Sequence, residues 1–349
     1  MYIDIAREKL EKLRGRNDYY ILGIESSCDD TAVAIIRGKE IISNKISSQI
    51  EIHKLYGGVV PEIASRNHIL AITNLVQMAL EEARLTLDDI SCIAVTYGAG
   101  LQGALLVGVS YAKALAYSRN IPLVGINHIK GHVCANFLVH KDLEFPFLCL
   151  LASGGHTEIL EVNSYSNMKI LGQSQDDAAG EAFDKVARVL GLPYPGGPQI
   201  EHNAKFGKPN IEFPKPFKGK DHLNFSYSGL KTAVINYAHN QEQKGVEINK
   251  FDLAASFQKS AVDQLIENAI YAAEKYGYNK IAVAGGVGAN SALREGLTNR
   301  ASKKHIEVLL PDKILCTDNG AMIGVAAYLA INEGIQASDL SLDVAPDLE

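Results

Sequence analysis

The sequence predicts an α/β fold built twice. Apolar runs that read as strands alternate with segments of helical period, as in a mostly parallel sheet covered on both faces. A strand-turn-strand unit at residues 19–36 returns at 147–162, about 125 residues later, the mark of an internal duplication. Composition agrees: 349 residues that are 47% hydrophobic and 21% charged suit a globular chain with a sizeable core and exclude disordered or collagen-like classes. At roughly 150 residues per domain, the length predicts two domains or one large α/β unit.

In order along the chain, residues 4–18 set Ile5, Leu10 and Leu13 among Arg, Lys and Glu, a weak amphipathic helix read as an N-terminal extension, 1–19. Residues 19–24 are apolar, 25–31 form a polar turn and 32–36 are apolar again, a hairpin. A helix is predicted at 61–84, a strand at 90–96, a glycine-rich turn, then a helix at 104–118. These make an N-terminal lobe, 20–126. The second lobe, 127–321, opens with the repeated hairpin: strand 147–152, a glycine-containing turn 153–157 and an alternating strand 158–162. Residues 192–228 carry six of the eleven prolines and the lysines Lys205, Lys208, Lys215, Lys218 and Lys220, and are read as an irregular, locally basic insertion. A helix at 252–276 and a strand at 280–284 follow, ending on Gly285-Gly286. A last helix starts near Asn319, and a C-terminal helix at about 322–349 is expected to pack back on the first lobe.

Lys plus Arg number 34 against 40 Asp plus Glu, a net charge of −6. That sign excludes gripping nucleic acid by overall charge, so such contact has to be local or shared with a partner. Cys28, Cys92, Cys134, Cys149 and Cys316 stand singly, without a metal or disulfide spacing, as expected in a reducing cytoplasm. No apolar stretch reaches the ~20 residues of a membrane span, and the first twenty residues mix both charges, unlike a leader peptide. A cytoplasmic location away from the membrane is expected.

His128 and His132 share one helical face at a spacing of four. That spacing holds a transition metal or reflects two unrelated polar histidines. Ile129 follows His128, so the glutamate that a H-E-x-x-H peptidase needs as general base is missing. Asp318, ahead of a helix-like run, reads as an N-cap or as the carboxylate of a two-His, one-carboxylate site. Glycine turns at 98–100, 154–155, 196–197 and 285–286 free backbone N–H groups for an anion, as in a nucleotide cleft, or are merely tight turns. No P-loop or Rossmann motif is present. The acidic run from Asp176 to Lys185 reads as a solvated helix start, with Asp184 alternatively bonding a substrate hydroxyl. Cys28 has no histidine paired to it by motif and reads as a small packed residue.

Seven motifs taken together resemble one family: Gly23-Ile-Glu-Ser-Ser-Cys-Asp-Asp-Thr31, Gly57-Gly-Val-Val-Pro-Glu62, Asn127-His-Ile-Lys-Gly-His132, Ser153-Gly-Gly-His-Thr157, Gly180-Glu-Ala-Phe-Asp-Lys185, Tyr194-Pro-Gly-Gly-Pro198 and Cys316-Thr-Asp-Asn319. In this order, from about residue 20 to the end, they are similar to TsaD, the bacterial tRNA N6-adenosine threonylcarbamoyltransferases once described as O-sialoglycoprotein endopeptidases. The resemblance implies an actin-like ATPase, sugar-kinase and heat-shock-ATPase type fold, a duplicated ribonuclease-H-like unit in two lobes around a cleft. It implies that His128, His132 and Asp318 bind one divalent metal, iron(II) or zinc. It implies further that Leu151, Ala152, Ser153, Gly154, Gly155, Asp184, Gly197, Glu201 and Asn290 hold threonylcarbamoyl-AMP or another adenine nucleotide.

The implied reaction moves threonylcarbamoyl from threonylcarbamoyl-AMP to N6 of adenine 37 in tRNAs that read A-starting codons, forming t6A and AMP. The alternative within the fold is an ATP-dependent phosphotransferase or ATPase. No residue announces itself as a general base, and a poor amine nucleophile makes positioning matter more. Implied partners are tRNA, a TsaB-like inactive paralogue on the N-terminal lobe, a TsaE-like P-loop ATPase and a TsaC-like synthase that supplies the adenylate. The insertion lysines are expected to line the tRNA surface. The chain departs from the family pattern at Ala99, Asp30 and Glu201, the last one methylene longer than the usual Asp. Leu151, in place of the tyrosine of archaeal and eukaryotic relatives, makes it bacterial or organellar in type.

Overall fold

The computed structural model describes residues 2–217 and 222–348, so Lys218 and Lys220 lie outside the described residues. The chain divides into two compact units, Met1–Leu143 with Thr317–Glu349, and Glu144–Cys316.

The first unit begins with helix α1 (Tyr2–Glu11) and the meander β1 (Tyr20–Glu25), β2 (Asp30–Arg37) and β3 (Glu40–Ser48). The short α2 (Ile50–His53), α3 (Pro61–Ala83), β4 (Ile90–Gly98), α4 (Gln102–Arg119) and β5 (Leu123–Asn127) follow, then α5 (His128–Cys134) and α6 (Asn136–Val139). The sheet order is β3-β2-β1-β4-β5, antiparallel through the meander and parallel from β1 to β4 to β5. Leu22, Ile24, Val33, Ile35, Ile93 and Val95 point one way and pack with Ile72, Leu75 and Val76 of α3 and with Val109 and Ala112 of α4. β1 reads as a continuous apolar run because both of its faces are covered.

The second unit repeats the plan. β6 (Phe147–Ala152), β7 (Thr157–Val162) and β8 (Met168–Gln173) form the meander, followed by α7 (Ala179–Val189), α8 (Gly196–Ala204), α9 (Ser228–Gln243) and α10 (Lys250–Tyr276). β9 (Lys280–Ala284), α11 (Ser291–Ser302), β10 (Glu307–Leu309) and α12 (Lys313–Cys316) complete it. The sheet order β10-β9-β6-β7-β8 has the same mix of antiparallel meander and two parallel strands. Phe183, Ile200, Phe225, Tyr227, Phe257 and Leu265 are among the side chains of its core. The duplicated, ribonuclease-H-like α/β architecture expected from the sequence is present.

The chain then returns to the first unit as α13 (Gly320–Asn332), in which all but two residues are buried. A helix apolar on every side has to be enclosed. Its backbone lies directly on β1: a Cβ at Gly23 would stand 2.2 Å from the Gly320 carbonyl oxygen and 2.8 Å from the Gly324 nitrogen.

Four expectations are corrected. The first unit extends to Leu143, because α5 packs against α13. The returning helix stops at Asn332, and the tail beyond it runs irregularly along the sheet edge, Ser338 N–H donating to Leu123 O (2.8 Å) and Ala345 N–H to Tyr97 O (2.7 Å). The insertion is not wholly irregular, since 196–204 form α8. The N-terminal segment is no loose appendage: Ala6 and Leu10 are buried, Tyr2 Oη donates to Ile121 O (2.8 Å) and Arg14 to Gly334 O (2.9 Å).

Alanine at Gly23 or at Gly320 is expected to destabilise the first unit by about 2–3 kcal/mol or more, since backbone rather than a movable side chain receives the methyl group. Gly154→Ala, where a Cβ meets nothing within 4 Å, is the control that should leave thermal unfolding unchanged.

Candidate metal centre and binding loops

Asn127 ends β5 and caps α5, its side chain accepting from the N–H groups of Ile129 and Lys130. The helix therefore starts on His128, and one turn later brings His132 to the same face, their rings 4.6 Å apart and nearly perpendicular. Asp318 stands just before α13. The cap of that helix is Asn319, which accepts from Met322 N–H, so the N-cap reading of Asp318 is wrong and its carboxylate is left to the histidines. Asp318 Oδ1 lies 3.1 Å from His132 Nε2 and 3.6 Å from His128 Nε2. One ligand atom from each of the three residues falls within 4.8 Å of the others, and this is the one such cluster among the described residues.

The far side of the His128 ring is held by residues that the sequence pattern does not single out. Glu25 Oε2 and Ser27 Oγ each lie 3.1 Å from His128 Nδ1. Glu25 is fully buried at the end of β1, and accepts from Thr96 Oγ1 (2.6 Å) and Ser27 N–H (2.5 Å). A carboxylate on Nδ1 fixes the tautomer and leaves Nε2 with its lone pair for a cation. The donor set thus fits a divalent transition metal: two imidazole nitrogens and one carboxylate oxygen, with room for exogenous ligands. The available signal for Glu25 is a carboxylate closing an otherwise apolar strand.

In the second unit the binding residues expected from the sequence gather at the ends of β6 and β9. Leu151 and Ala152 are buried as the last residues of β6, and Ser153, Gly154 and Gly155 form the turn beyond it. Gly180 of α7 presses on that turn and Gly285 after β9 on the strand end before it: ideal Cβ atoms would stand 2.6 Å from Ser153 O and 2.5 Å from Ala152 O, and Gly285 has φ +83°. Gly154, Gly155 and Gly197 themselves face open space. Asp184 on α7 accepts from Gly196 N–H (2.6 Å), next to Gly197. Glu201 on α8 accepts from Ser291 N–H (3.3 Å), next to Asn290, which caps α11 and donates to Gln258 (2.9 Å). The glycine turn at 98–100 behaves differently: Gly100 N–H donates to Pro346 O (3.0 Å) and Leu101 N–H to Ser27 O (2.7 Å), so its donors serve the chain itself.

The family model of TsaD, tRNA N6-adenosine threonylcarbamoyltransferase, matches residues 40–325. The chain belongs to the TsaD family. A tRNA N6-adenosine threonylcarbamoyltransferase of Clostridium perfringens (strain SM101 / Type A) is 57% identical over 334 residues, spanning 95% of this chain and 98% of that protein. Among solved structures, HypF of T. kodakarensis superposes with a TM-score of 0.62 at 14% identity over 90% of this chain and 48% of its own. The (R)-2-hydroxyglutaryl-CoA dehydratase component A of Acidaminococcus fermentans does so with 0.53 at 15% over 90% and 99%. These likenesses show the fold, of actin-like ATPase type. No helix among the described residues is long and apolar enough to cross a membrane.

Charge in this TsaD-family centre is divided unevenly. Burial opposes charge on His128, but Glu25 and Asp318 outweigh it and push the imidazole up to about 9. Burial works to raise Asp318, yet His128 and His132 hold it down at about 2. Burial and then Asp318 lift Asp30 to about 7 and raise Asp29. Cys28 is half-buried with its thiol pushed far up by burial and by Asp29, which agrees with a packed residue rather than a nucleophile. Of the acidic run, Asp176 accepts from Tyr227 and Ser228 N–H (2.7 and 3.1 Å), while Asp177 pairs with Lys185 and Lys231 (2.9 and 2.5 Å). Both carboxylates therefore tie the α7 start to α9 and are not simply solvated.

Metal affinity is expected to rise with pH by up to about tenfold per unit and to level off near pH 9, because His128 must lose its proton to bind. The metal-free chain should show the opposite trend. With His128 raised from 6.5 to about 9, its stabilisation is complete below pH 6.5 and lost as pH climbs through 9. Isothermal titration and thermal unfolding between pH 6 and 9.5 check both. Glu25→Gln should weaken metal binding by roughly ten- to hundredfold with the three ligands intact.

Proposed function

We propose that the chain transfers the threonylcarbamoyl group of threonylcarbamoyl-AMP to N6 of adenine 37 in tRNAs reading A-starting codons, releasing AMP. The observation that carries this is the convergence of His128, His132 and Asp318, with Glu25 behind them, in a chain whose TsaD-family relatives bear that activity in their name. An iron(II) or zinc ion on those three residues would supply Lewis-acid polarisation and neutralise developing oxygen charge. Glu25 and Ser27 fix the His128 ring, and Asn127 fixes the start of its helix, so the ligand geometry is set before any substrate arrives.

In the second unit the turn Ser153-Gly154-Gly155 and the start of α8 at Gly197 offer open glycine backbone to phosphate oxygens, whose charge suits N–H donors. Leu151 and Ala152 anchor the turn, and Asp184, Glu201 and Asn290 are the polar groups available to ribose and adenine. Their present bonds to Gly196, Ser291 and Gln258 hold them in place. Glu201 reaches Ser291 N–H at a long 3.3 Å, which leaves its second oxygen for a substrate hydroxyl. The step forms a bond from adenine N6 to the carbamoyl carbon and breaks the anhydride bond to phosphate, and the amine proton leaves with the elimination of AMP.

The tRNA surface we assign in part to Lys205 and Lys208, both exposed. Lys215 is less free, its ammonium 2.7 Å from Glu267. An inactive TsaB-like paralogue would find an apolar face on α3, where Ile69 and Leu70 stand 62% and 74% exposed. A TsaE-like ATPase and a TsaC-like synthase complete the expected partners.

Incubation with threonylcarbamoyl-AMP and unmodified tRNA, with and without the partner proteins, should yield modified adenosine by mass spectrometry and none with His128→Ala. No product from the metal-loaded wild type under any condition would overturn this reading. Charge reversal at Lys205 and Lys208 should weaken tRNA binding and reduce the steepness of its salt dependence by about one for each phosphate that is no longer neutralised.

A further inference from the structure

The turn between α2 and α3 displays two large apolar side chains to solvent. Leu55 is 82% exposed and Tyr56 59%, and no ring, cation or hydrogen-bond partner of the Tyr56 side chain occurs among the described residues. Exposing both costs free energy that burial would recover, and the turn is too well tied for the display to be a by-product of looseness. His53 beneath it is completely buried. Its Nδ1 accepts from Val60 N–H (3.2 Å), its Nε2 meets Gln49 Oε1 (3.2 Å), and its carbonyl accepts from Gly58 N–H (3.2 Å). Gly57, at φ +71°, reverses the chain directly after Tyr56.

The same turn is wired to the metal centre. Gln49 N–H donates to Asp29 O (3.1 Å), and Asp29 belongs to the β1–β2 turn that also carries Ser27, the partner of His128 Nδ1 (3.1 Å). Lys54, at the base of the turn, has a 3.6 Å contact to Glu51 with both side chains in solvent, an association worth little and easily exchanged for a phosphate. An exposed aromatic ring on a hydrogen-bonded turn, with an apolar neighbour and a weakly held ammonium, matches an unpaired nucleotide: a flat base to stack and a phosphate beside it.

The geometry points to Tyr56, flanked by Leu55, as the platform on which an unpaired base of the tRNA loop carrying the target adenine stacks. This rests on the function proposed above and names the recognition residue that function lacks. Tyr56 touches the substrate and takes no part in proton transfer.

The test uses the full metal-loaded chain with its partner proteins and unmodified tRNA. Tyr56→Ala should lower kcat/KM for tRNA by roughly ten- to hundredfold, mostly through KM, while Tyr56→Phe keeps wild-type values because stacking needs the ring and not the hydroxyl. Thermal unfolding and bound metal should be the same in all three proteins, which separates stacking from a structural role. Equal kcat/KM for Tyr56→Ala and wild type overturns the assignment. So does a Tyr56→Ala protein whose tRNA KM is unchanged but whose assembly with the partner proteins fails in sedimentation, which would give the turn to a protein surface. A wild type that forms no modified adenosine brings down the functional reading and this one with it, an outcome distinct from the other two.

Discussion

Backbone-to-backbone contact between α13 and β1 is the constraint on which the first unit depends. Three glycines make it possible: Gly23 on the strand and Gly320 and Gly324 on the helix, with Gly320 in turn set against the backbone of Val33 and Ala34. The approach buries nearly all of α13 and encloses the second face of the sheet, and it fixes where the helix begins. Asp318 sits at that beginning. A helix held off by one methyl group would carry the carboxylate away from two histidines that the chain laid down long before.

The electrostatics follow from that placement. Glu25 and Asp318 stand on opposite sides of the His128 ring, at Nδ1 and Nε2, and both favour positive charge there. Burial is the opposing force: it raises Asp29 and Asp30, while His128 and His132 hold Asp318 down against it. A site that concentrates negative charge around neutralisable imidazoles is chemically a cation site, and the deep seat of Glu25 keeps the ring orientation independent of solvent.

The second unit solves a different problem with the same sheet. Its β6 turn is squeezed by backbone at Gly180 and Gly285, yet the neighbouring Gly154, Gly155 and Gly197 open outward. In the first unit the turn after β4, at 98–100, stands where 285–286 follows β9 in the second, and it is covered by the chain's own tail. Duplication therefore gave two copies of one architecture whose glycine turns serve different ends, one bonded to the returning chain and, beyond β6, one with glycine backbone facing open space.

The sequence by itself determined the α/β class, the repeat of the hairpin, the helical pairing of His128 with His132, and most elements of strong period, such as α3, α4 and α10. These depend on neighbours within a few residues, so spacing and polarity suffice to read them. The family followed from the ordered motifs. Weakly patterned elements escaped: β3, with its half-exposed alternation, and α9 and α11, whose apolar faces are short. The extent of the first unit, the irregular tail after Asn332 and the tight hold on α1 were also beyond local reading, because each depends on hydrogen bonds to distant segments. Only the tertiary structure could decide that Asn319 and not Asp318 caps α13, that Glu25 and Ser27 stand behind His128, and that Tyr56 is displayed rather than buried. All three depend on where side chains stand once the elements are packed, as when Glu25 of β1 meets His128 of α5 across 103 positions, and spacing along a sequence does not record that.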